Sequence, residues 1–213
     1  MSDILAKIST TVIEGRLKDI RQLTSEALAA GLGPQEILDK GLMPGMDVVG
    51  AEFKKGKKFV PEVLLTARTM QGALDLLKPQ LAEAGLRMAG KVLLGTVKGD
   101  LHDIGKNLVG MMFEGAGFEV VDLGKDVAPE KFVEAVKKEK PQIVAMSALL
   151  TTTMRAMGHT ITLLKEAGVR EGLYIMVGGA PVTSDFARQI GADAYASNAP
   201  AAAELAKKVV AVR

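Results

Sequence analysis

A carboxylate, an imidazole and a glycine lie close together in the segment that follows the apolar run at 92–97. Asp100, His102 and Gly105 have the spacing DxHxxG, and a new apolar-periodic helix begins there. Ligands of open α/β sheets bind just beyond the carboxyl ends of the strands. A neighbouring Asp can fix the tautomer of a His and raise its basicity as a metal ligand. The spacing therefore favours a metal site in which His102 is the ligand and Asp100 orients it.

Ser147 ends a later apolar run and is expected at the same edge of the sheet. A Ser/His/Asp hydrolase would use Ser147, His102 and Asp100, and chain order alone does not exclude it. A nucleophilic serine on such a sheet normally lies in a GxSxG elbow, whereas Ser147 is flanked by alanine, methionine and leucine. We therefore expect Ser147 to extend the network of Asp100 and His102.

Other occupants of an α/β sheet fit the first turn poorly. A dinucleotide needs GxGxxG there, but this turn carries charged side chains and only Gly99 and Gly105. The turn lacks the hydroxyl residues and glycines of a flavin mononucleotide loop, and Ser147 stands where a phosphoacceptor receiver has its aspartate. One histidine cannot build a closed zinc site, so the metal must arrive already coordinated, as in a macrocycle with an axial position.

The composition limits the function classes. The chain has 213 residues, 48% of them hydrophobic, a net charge of +2 and no cysteine. Disulfides, thiolate nucleophiles and cysteine metal sites are therefore excluded. Charges of both signs are interspersed and aromatic residues are few, so we expect no nucleic-acid partner, and the lysine cluster at 54–58 is interpreted as a solvated turn. No apolar run approaches a membrane span of about 20 residues, and we expect a cytoplasmic protein without a membrane partner.

The first half has the apolar spacing of helices. Four helices are predicted, of which the third begins at Pro34 and is interrupted at Pro44, and the fourth begins at Pro61. We interpret residues 1–88 as a four-helix bundle. The segment 78–90 contains Pro79, Gly85 and Gly90, and it is the predicted connection between two domains.

Short apolar runs alternate with helix-length segments in the second half, as in βαβ units. The right-handed crossover rule then places helices on both faces of a parallel sheet. The predicted fold class is α + α/β, with an N-terminal four-helix bundle cap followed by a doubly wound five-stranded parallel sheet at 89–213. The predicted strands are 92–97, 118–123, 143–146, 173–177 and 194–196.

Three motifs in this order closely resemble the cobalamin-binding domain of methionine synthase and of the corrinoid proteins associated with methyltransferases. They are DxHxxG at 100–105, SxL at 147–149 and the pair Gly178-Gly179 after the fourth predicted strand. The helical stretch from 41–50 to 59–64 resembles the cap bundle of the same proteins. The resemblance covers essentially the whole chain and implies a flavodoxin-like cobalamin-binding domain behind a helical cap.

The resemblance implies a role for each motif. His102 would replace dimethylbenzimidazole as the lower axial ligand of cobalt in cobalamin or a related corrinoid, including methylcobalamin. Asp100 and Ser147 would form a proton-linked network with His102 that follows the oxidation state of cobalt. The displaced nucleotide tail would enter a slot beside the sheet, although a glycine pair alone is more typical of a tight turn. The residues implied around the slot are Asp103, Ile104, Gly105, Ser147, Leu149, Thr151, Gly178, Gly179, Ala180, Pro181 and Tyr195.

The cap would cover the upper face of the cobalt with apolar side chains. The candidates are Phe59, Val63 and Met70, although helical spacing alone is more typical of core packing. Movement of the cap would use the segment 78–90 as a hinge. The second histidine, His159, lies inside a predicted helix and is interpreted as structural or exposed.

The function implied by the resemblance is that of a methyl carrier without catalysis of its own. It would accept a methyl group on Co(I) from a substrate:corrinoid methyltransferase and deliver it to a second methyltransferase that uses tetrahydrofolate or coenzyme M. The family implies methylamines, methanol, methoxylated aromatics or betaines as donors, and a reductive activase, because Co(I) is easily oxidised. A cobalamin-dependent sensor is the alternative, but it needs an effector domain. A subunit of a radical mutase would need a catalytic barrel.

Overall fold

A computed structural model describes residues 2–83 and 88–211. The chain divides into two compact units. One unit contains Met1–Met88 and Glu114–Gly117, and the other contains Ala89–Phe113 and Phe118–Arg213. Within the described ranges, no helix has the length and apolar character that crossing a membrane requires.

The first unit is a bundle of four helical segments, as the apolar spacing predicts. Helices α3 and α4 are joined by a π-helical turn and form one continuous segment, which begins at Pro34 in a position where the missing N–H of proline does no harm. Apolar side chains at helical spacing bury against one another in the bundle core. The elements are α1 Ser2–Ile13, α2 Leu17–Ala29, α3 Pro34–Ile37, the π-turn Leu38–Leu42, α4 Met43–Lys54 and α5 Val60–Glu83.

The prediction that the helix is interrupted at Pro44 is wrong, because the helix continues through this proline. The chain instead widens just before it, where Met43 N–H donates to Leu38 O five residues earlier. A proline ring inside an α-helix collides with the carbonyl four residues before it. The wider π-turn removes that collision without ending the helix.

The predicted connection at 78–90 also begins too early. Helix α5 continues through Pro79 to Glu83. Leu77 and Leu81 are buried on either side of this proline, and their packing offsets the loss of one helical hydrogen bond. Residues 84–87 of the connection lie outside the described residues, so the hinge stays a prediction.

The second unit contains a five-stranded sheet in the order β2-β1-β3-β4-β5, and every pairing is parallel. This is the predicted doubly wound sheet, and each predicted strand is present with its ends within one residue. The elements are β1 Lys91–Thr96, α6 Ile104–Gly115, β2 Glu119–Asp122, α7 Pro129–Glu139, β3 Ile143–Ser147, α8 Arg155–Glu166, β4 Tyr174–Gly178, α9 Ser184–Ile190, β5 Ala194–Ala196 and α10 Ala199–Ala211.

The core of this unit forms between the central strands and the helices that cover them. Helices α7, α8 and α9 contact one another in sequence on one face, and right-handed crossovers place α6 on the other. Gly95 in β1 makes room for the ring of Phe132, since a Cβ at this position would lie 2.7 Å from a ring carbon. Strands β1 and β3 are neighbours in the interior of the sheet, and the chain turns in opposite directions on leaving them.

Candidate functional site

The site lies where the carboxyl ends of β1 and β3 meet. Thr96, the last residue of β1, is in register with Ser147, the last residue of β3. The loops 97–103 and 148–154 therefore begin side by side. In a sheet of this order, the crevice between these two strand ends is the switch point at which ligands bind.

Asp100 joins the two loops through its carboxylate, which has no exposed surface. Its Oδ2 accepts hydrogen bonds from Leu149 N–H at 2.7 Å, Leu150 N–H at 3.2 Å and the Thr153 hydroxyl at 2.8 Å. Its Oδ1 accepts from His102 N–H at 3.1 Å and lies 2.8 Å from His102 Nδ1. Both oxygens of this buried carboxylate are thus satisfied by protein donors.

These hydrogen bonds also decide the charge of Asp100. Burial alone raises the pKa of a carboxyl group, but the bonds from Leu149 N–H, from His102 and from Thr153 outweigh it and hold the pKa of Asp100 well below its usual range. Asp100 is therefore an anion at neutral pH. An anionic carboxylate can only accept, so the proton shared with the imidazole belongs to Nδ1 of His102.

The other ring nitrogen of His102, Nε2, takes no part in this bond, and it carries the lone pair of a neutral imidazole. The side chain is 52% exposed, and within the part of the chain that the structure describes no hydrogen bond or ion pair involves Nε2. The Asp100 carboxylate orients the ring. In the same described part, no group of three or more His, Cys, Asp or Glu side chains is arranged to hold a metal ion. The role of His102 as a single metal ligand stays a prediction.

An apolar rim is formed by exposed side chains of the segments that Asp100 joins. Leu101 and Ile104 are 64% and 72% exposed, and Leu149 and Leu150 on the neighbouring loop are 43% and 42% exposed. A Cβ at Gly105 would meet no atom within 4 Å, so the space beside the first turn of α6 is open. Clustered exposed apolar side chains mark a binding surface. Such a rim around one free imidazole nitrogen fits the face of a largely apolar macrocycle with an open axial position.

A third loop fixes the main chain of the DxHxxG segment from the side of β2. Asp126 Oδ1 accepts from Gly99 N–H at 2.7 Å, and Asp126 N–H donates to Asp100 O at 3.0 Å. Asp126 has a φ of 53°, a left-handed conformation that is uncommon outside glycine. Lys125 lies 3.9 Å from the carboxylate of Asp103. The residues after β2 therefore hold this loop in place.

The structure assigns the hydroxyl of the network to Thr153 rather than to Ser147. Within the described residues, no hydrogen bond joins the Ser147 side chain to Asp100 or His102, so neither the predicted network nor a hydrolase triad includes it. Ser147 is the last residue of β3, whereas Thr153 follows a turn of the loop that returns it to Asp100. Sequence reasoning missed Thr153 because it is the last of three consecutive threonines. Thr151, the predicted slot residue, is exposed.

The glycine pair after β4 has a structural explanation. A Cβ at Gly178 would lie 2.9 Å from Ala196 O, and Gly179 has a φ of +127° with its Cβ position 1.9 Å from Ala148 O. Both glycines therefore allow neighbouring strand ends to approach closely, as the tight-turn interpretation proposed. A role in a cofactor slot stays a prediction for them, as it does for Ala180, Pro181 and Tyr195. Ala180 is exposed, and Pro181 and Tyr195 are half-buried.

Two of the three predicted cap contacts are buried within the described structure. Val63 and Met70 are 0% and 1% exposed, because they belong to the packed stripe of α5 together with Ala67, Leu74 and Leu77. They cannot contact a ligand without repacking, so these two predictions are not supported by the geometry. Phe59 is 65% exposed and stays a candidate.

Two other features agree with their sequence interpretation. Lys54, Lys55 and Lys57 are exposed, and Lys58 Nζ donates to Ile13 O at 3.0 Å, which ties the turn to the end of α1. His159 is exposed on α8. It lies outside the network of Asp100.

Comparison with family models assigns both halves of the chain to the same cofactor. A B12 binding domain model matches residues 90–205, and a second B12 binding domain model matches residues 4–78. Both matches agree with the division of the chain into a helical part and a sheet part.

Curated relatives and solved structures match over nearly the whole chain. The trimethylamine corrinoid protein 2 of Methanosarcina mazei is 45% identical over 92% of this chain and 91% of its own. The dimethylamine corrinoid protein 1 of Methanosarcina acetivorans is 42% identical over 98% of each chain. The methanol:cobalamin methyltransferase complex MtaBC from Methanosarcina barkeri contains a chain that matches with a TM-score of 0.89, at 33% identity, over 99% of this chain and 81% of that one. A cobalamin-binding protein from Desulfitobacterium hafniense matches with a TM-score of 0.80, at 33% identity, over 96% and 98%.

Proposed function

The chain belongs to the family of B12-binding corrinoid proteins, and from that premise we propose that it is a methyl carrier that works between two methyltransferases. Its cofactor is a cobalamin or a related corrinoid. When bound, the corrinoid supplies a cobalt that accepts and releases a methyl group. In this proposal the methyl donor binds to a partner subunit, and transfer requires that partner.

One observation carries the proposal: the half-exposed imidazole of His102 bonds through Nδ1 to a buried anionic Asp100 and leaves Nε2 free. His102 would hold the corrinoid through its cobalt. Asp100 keeps the proton on Nδ1 and so makes Nε2 the coordinating nitrogen. The exposed side chains of Leu101, Ile104 and Leu149 would exclude water from the face of the ring.

Thr153 completes the network in the place predicted for Ser147. Its hydroxyl lies 2.8 Å from Asp100 Oδ2 and 2.8 Å from Leu150 O, so its single proton has two acceptors. The hydroxyl can donate to the Asp100 anion, which is buried away from water. It can turn to Leu150 O when Asp100 has less negative charge. This is the group through which the network would adjust when the bond to His102 forms or breaks.

The relatives indicate which partners to test. The first partner would be a substrate:corrinoid methyltransferase, and we propose a methylamine as its substrate because relatives that are 42–45% identical are named trimethylamine and dimethylamine corrinoid proteins. The second partner would be a methyltransferase that uses tetrahydrofolate or coenzyme M. A reductive activase would restore cobalt that has been oxidised.

The test compares the two histidines of the chain. Wild type, His102→Ala and the control His159→Ala are loaded with cobinamide, a corrinoid that has no dimethylbenzimidazole base of its own, then desalted and reduced to Co(II) for electron paramagnetic resonance. We expect nitrogen splitting from a protein imidazole in wild type and in His159→Ala, and its loss in His102→Ala. Splitting that survives in His102→Ala, or a wild type that retains no corrinoid, would contradict the proposal.

A further inference from the structure

The segment that carries His102 has little apolar packing to hold it. Leu101 and Ile104, which flank the histidine and Asp103, are 64% and 72% exposed. The position of the imidazole must therefore be set by hydrogen bonds. The bonds of Asp100 act on the ring and on the N–H of His102, but Asp100 belongs to the same short loop.

Thr96 provides a second anchor from the sheet itself. Its hydroxyl donates to His102 O at 2.9 Å, and the residue has no exposed surface. The main chain of Thr96 is fixed in turn, because its N–H donates to Gly124 O at 3.0 Å and its carbonyl accepts from Val127 N–H at 3.0 Å. The hydroxyl thus connects the histidine to the end of β1, which is bonded on both sides.

The type of residue at this position also points to the bond. Valine has nearly the same shape as threonine and suits a buried strand equally well. A buried hydroxyl is unfavourable unless it is hydrogen-bonded. Thr24 and Thr160 satisfy their hydroxyls on the carbonyl four residues earlier in their own helices, whereas the hydroxyl of Thr96 extends forward, out of its strand, to His102.

We propose that Thr96 is a positioning residue for cobalt ligation: its hydroxyl holds the main chain of His102 so that Nε2 can meet the metal, while Asp100 fixes the rotation of the ring. This inference rests on the proposed function, since it concerns the same axial ligand. Removal of the hydroxyl leaves the ligand present and its carboxylate partner intact. The strength of ligation falls because part of the binding free energy must then order the loop.

The experiment uses Thr96→Val, with Thr160→Val as the matched control. Both positions are fully buried, and both hydroxyls donate to a main-chain carbonyl in the second unit. The Co(II) form of each loaded protein is challenged with ¹⁵N-imidazole, whose doublet splitting differs from the triplet of the natural ¹⁴N of His102. We expect Thr96→Val to need about three- to tenfold less imidazole for half-displacement, as the loss of one hydrogen bond predicts, and Thr160→Val to match wild type.

Two outcomes separate failure of the inference from failure of the proposed function. If wild type shows no triplet, the proposed function is wrong whatever Thr96 does. If wild type shows the triplet, and the same concentration of imidazole displaces His102 in Thr96→Val as in wild type, Thr96 has no positioning role. Equal weakening in Thr96→Val and Thr160→Val would assign the effect to general destabilisation and also overturn the inference.

A second pair decides the question if Thr96→Val does not fold. Thr96→Ser and Thr96→Ala both remove the methyl group, and they differ only in the hydroxyl. We expect Thr96→Ser to keep displacement close to wild type and Thr96→Ala to weaken it. In the corrinoid-free protein, amide hydrogen exchange at residues 101–104 should be faster in Thr96→Ala than in Thr96→Ser, and equal exchange would contradict the inference.

Discussion

The two units bury polar groups in different ways. Within the described residues, the buried polar side chains of the helical unit are threonines: Thr11, Thr24, Thr66 and Thr69. Three of them donate to a carbonyl three or four residues earlier in their own helix. The sheet unit also buries two charged residues, Asp100 and Lys106, and the bonds of Asp100 reach residues 49 to 53 positions away.

This difference shows where the fold is constrained by shape and where by particular contacts. Apolar side chains at the right spacing are sufficient for the helical bundle, and many combinations of them can fill it. The edge of the sheet at the carboxyl ends of the strands depends on particular hydrogen-bond donors and acceptors, and on glycines that other residues cannot replace. Lys106, which is 2% exposed and paired with Asp122, adds a second buried charge beside the same edge. The proposed cofactor site therefore lies where the fold depends on particular contacts.

The largest effect should come from a methyl group at the edge of the sheet. In Gly179→Ala the new Cβ would lie 1.9 Å from Ala148 O, in a backbone conformation that alanine avoids, so we expect a loss of more than about 4 kcal/mol in unfolding free energy or no folded protein. Gly168→Ala is the control, because it has a positive φ but meets nothing within 4 Å, and about 1 kcal/mol is expected. If urea unfolding showed equal losses of free energy in the two variants, backbone strain, and not the contact with Ala148 O, would account for the effect at Gly179.

Truncation of the buried carboxylate should rank next. Asp100→Ala leaves the N–H groups of Leu149 and Leu150 and the hydroxyl of Thr153 without their acceptor, so we expect a loss of at least about 3 kcal/mol in urea unfolding. Asp185→Ala removes an exposed carboxylate on α9 and should leave the unfolding midpoint unchanged. If Asp100→Ala and Asp185→Ala have the same unfolding midpoint, the buried carboxylate contributes no more to stability than the exposed one.

The helical unit should respond to lost volume alone. Met70 is buried in the packed stripe of α5, so Met70→Ala should lower the unfolding free energy by about 2–3 kcal/mol and leave the absorption spectrum of bound corrinoid unchanged. Val48→Ala, at a site 42% exposed on α4, serves as the control with little effect. A changed spectrum in Met70→Ala without lost stability would restore Met70 as a cofactor contact.

The smallest expected effect is a difference in acid sensitivity. The pKa of Asp100 is lowered by folding, so its contribution to stability is complete above the ordinary value of 3.8 and is lost as the pH falls below it. As the pH falls from about 4 to about 2.5, corrinoid-free wild type should lose stability relative to Asp100→Asn, with a slope that approaches about 1.4 kcal/mol per pH unit. Urea unfolding at each pH measures this, and parallel curves would mean that Asp100 is not charged in the fold.

The strands and the pair Asp100–His102 could be predicted because their signals are local. Short apolar runs alternate with helix-length segments in the second half, and one residue separates the acid from the imidazole. Thr153 could not be chosen among three threonines, because its contact depends on how the loop after β3 turns. The N–H groups of Leu149 and Leu150 leave no signal in side-chain identity.

The errors in the helical half have the same origin. Pro44 and Pro79 are read as breaks from local propensity, but a π-turn accommodates Pro44 and the packing of α5 keeps Pro79 inside its helix. Val63 and Met70 have the spacing of one helical face, and spacing cannot show whether that face meets a ligand or another helix. Their burial shows that this face meets other helices, and burial can be determined only from the structure of the bundle.

The hydrogen bonds of Asp100 join residues that lie far apart in the sequence, and this separation sets an order of events in folding. The carboxylate meets Leu149, Leu150 and Thr153 across separations of 49, 50 and 53 residues, and a chain closes such loops only by pairing β1 with β3. A refolding chain can form its early helices and hairpin-length contacts without gaining a usable imidazole. The appearance of cobalt ligation during refolding would therefore time the joining of the two central strands, and the cofactor would capture only chains that have passed this step.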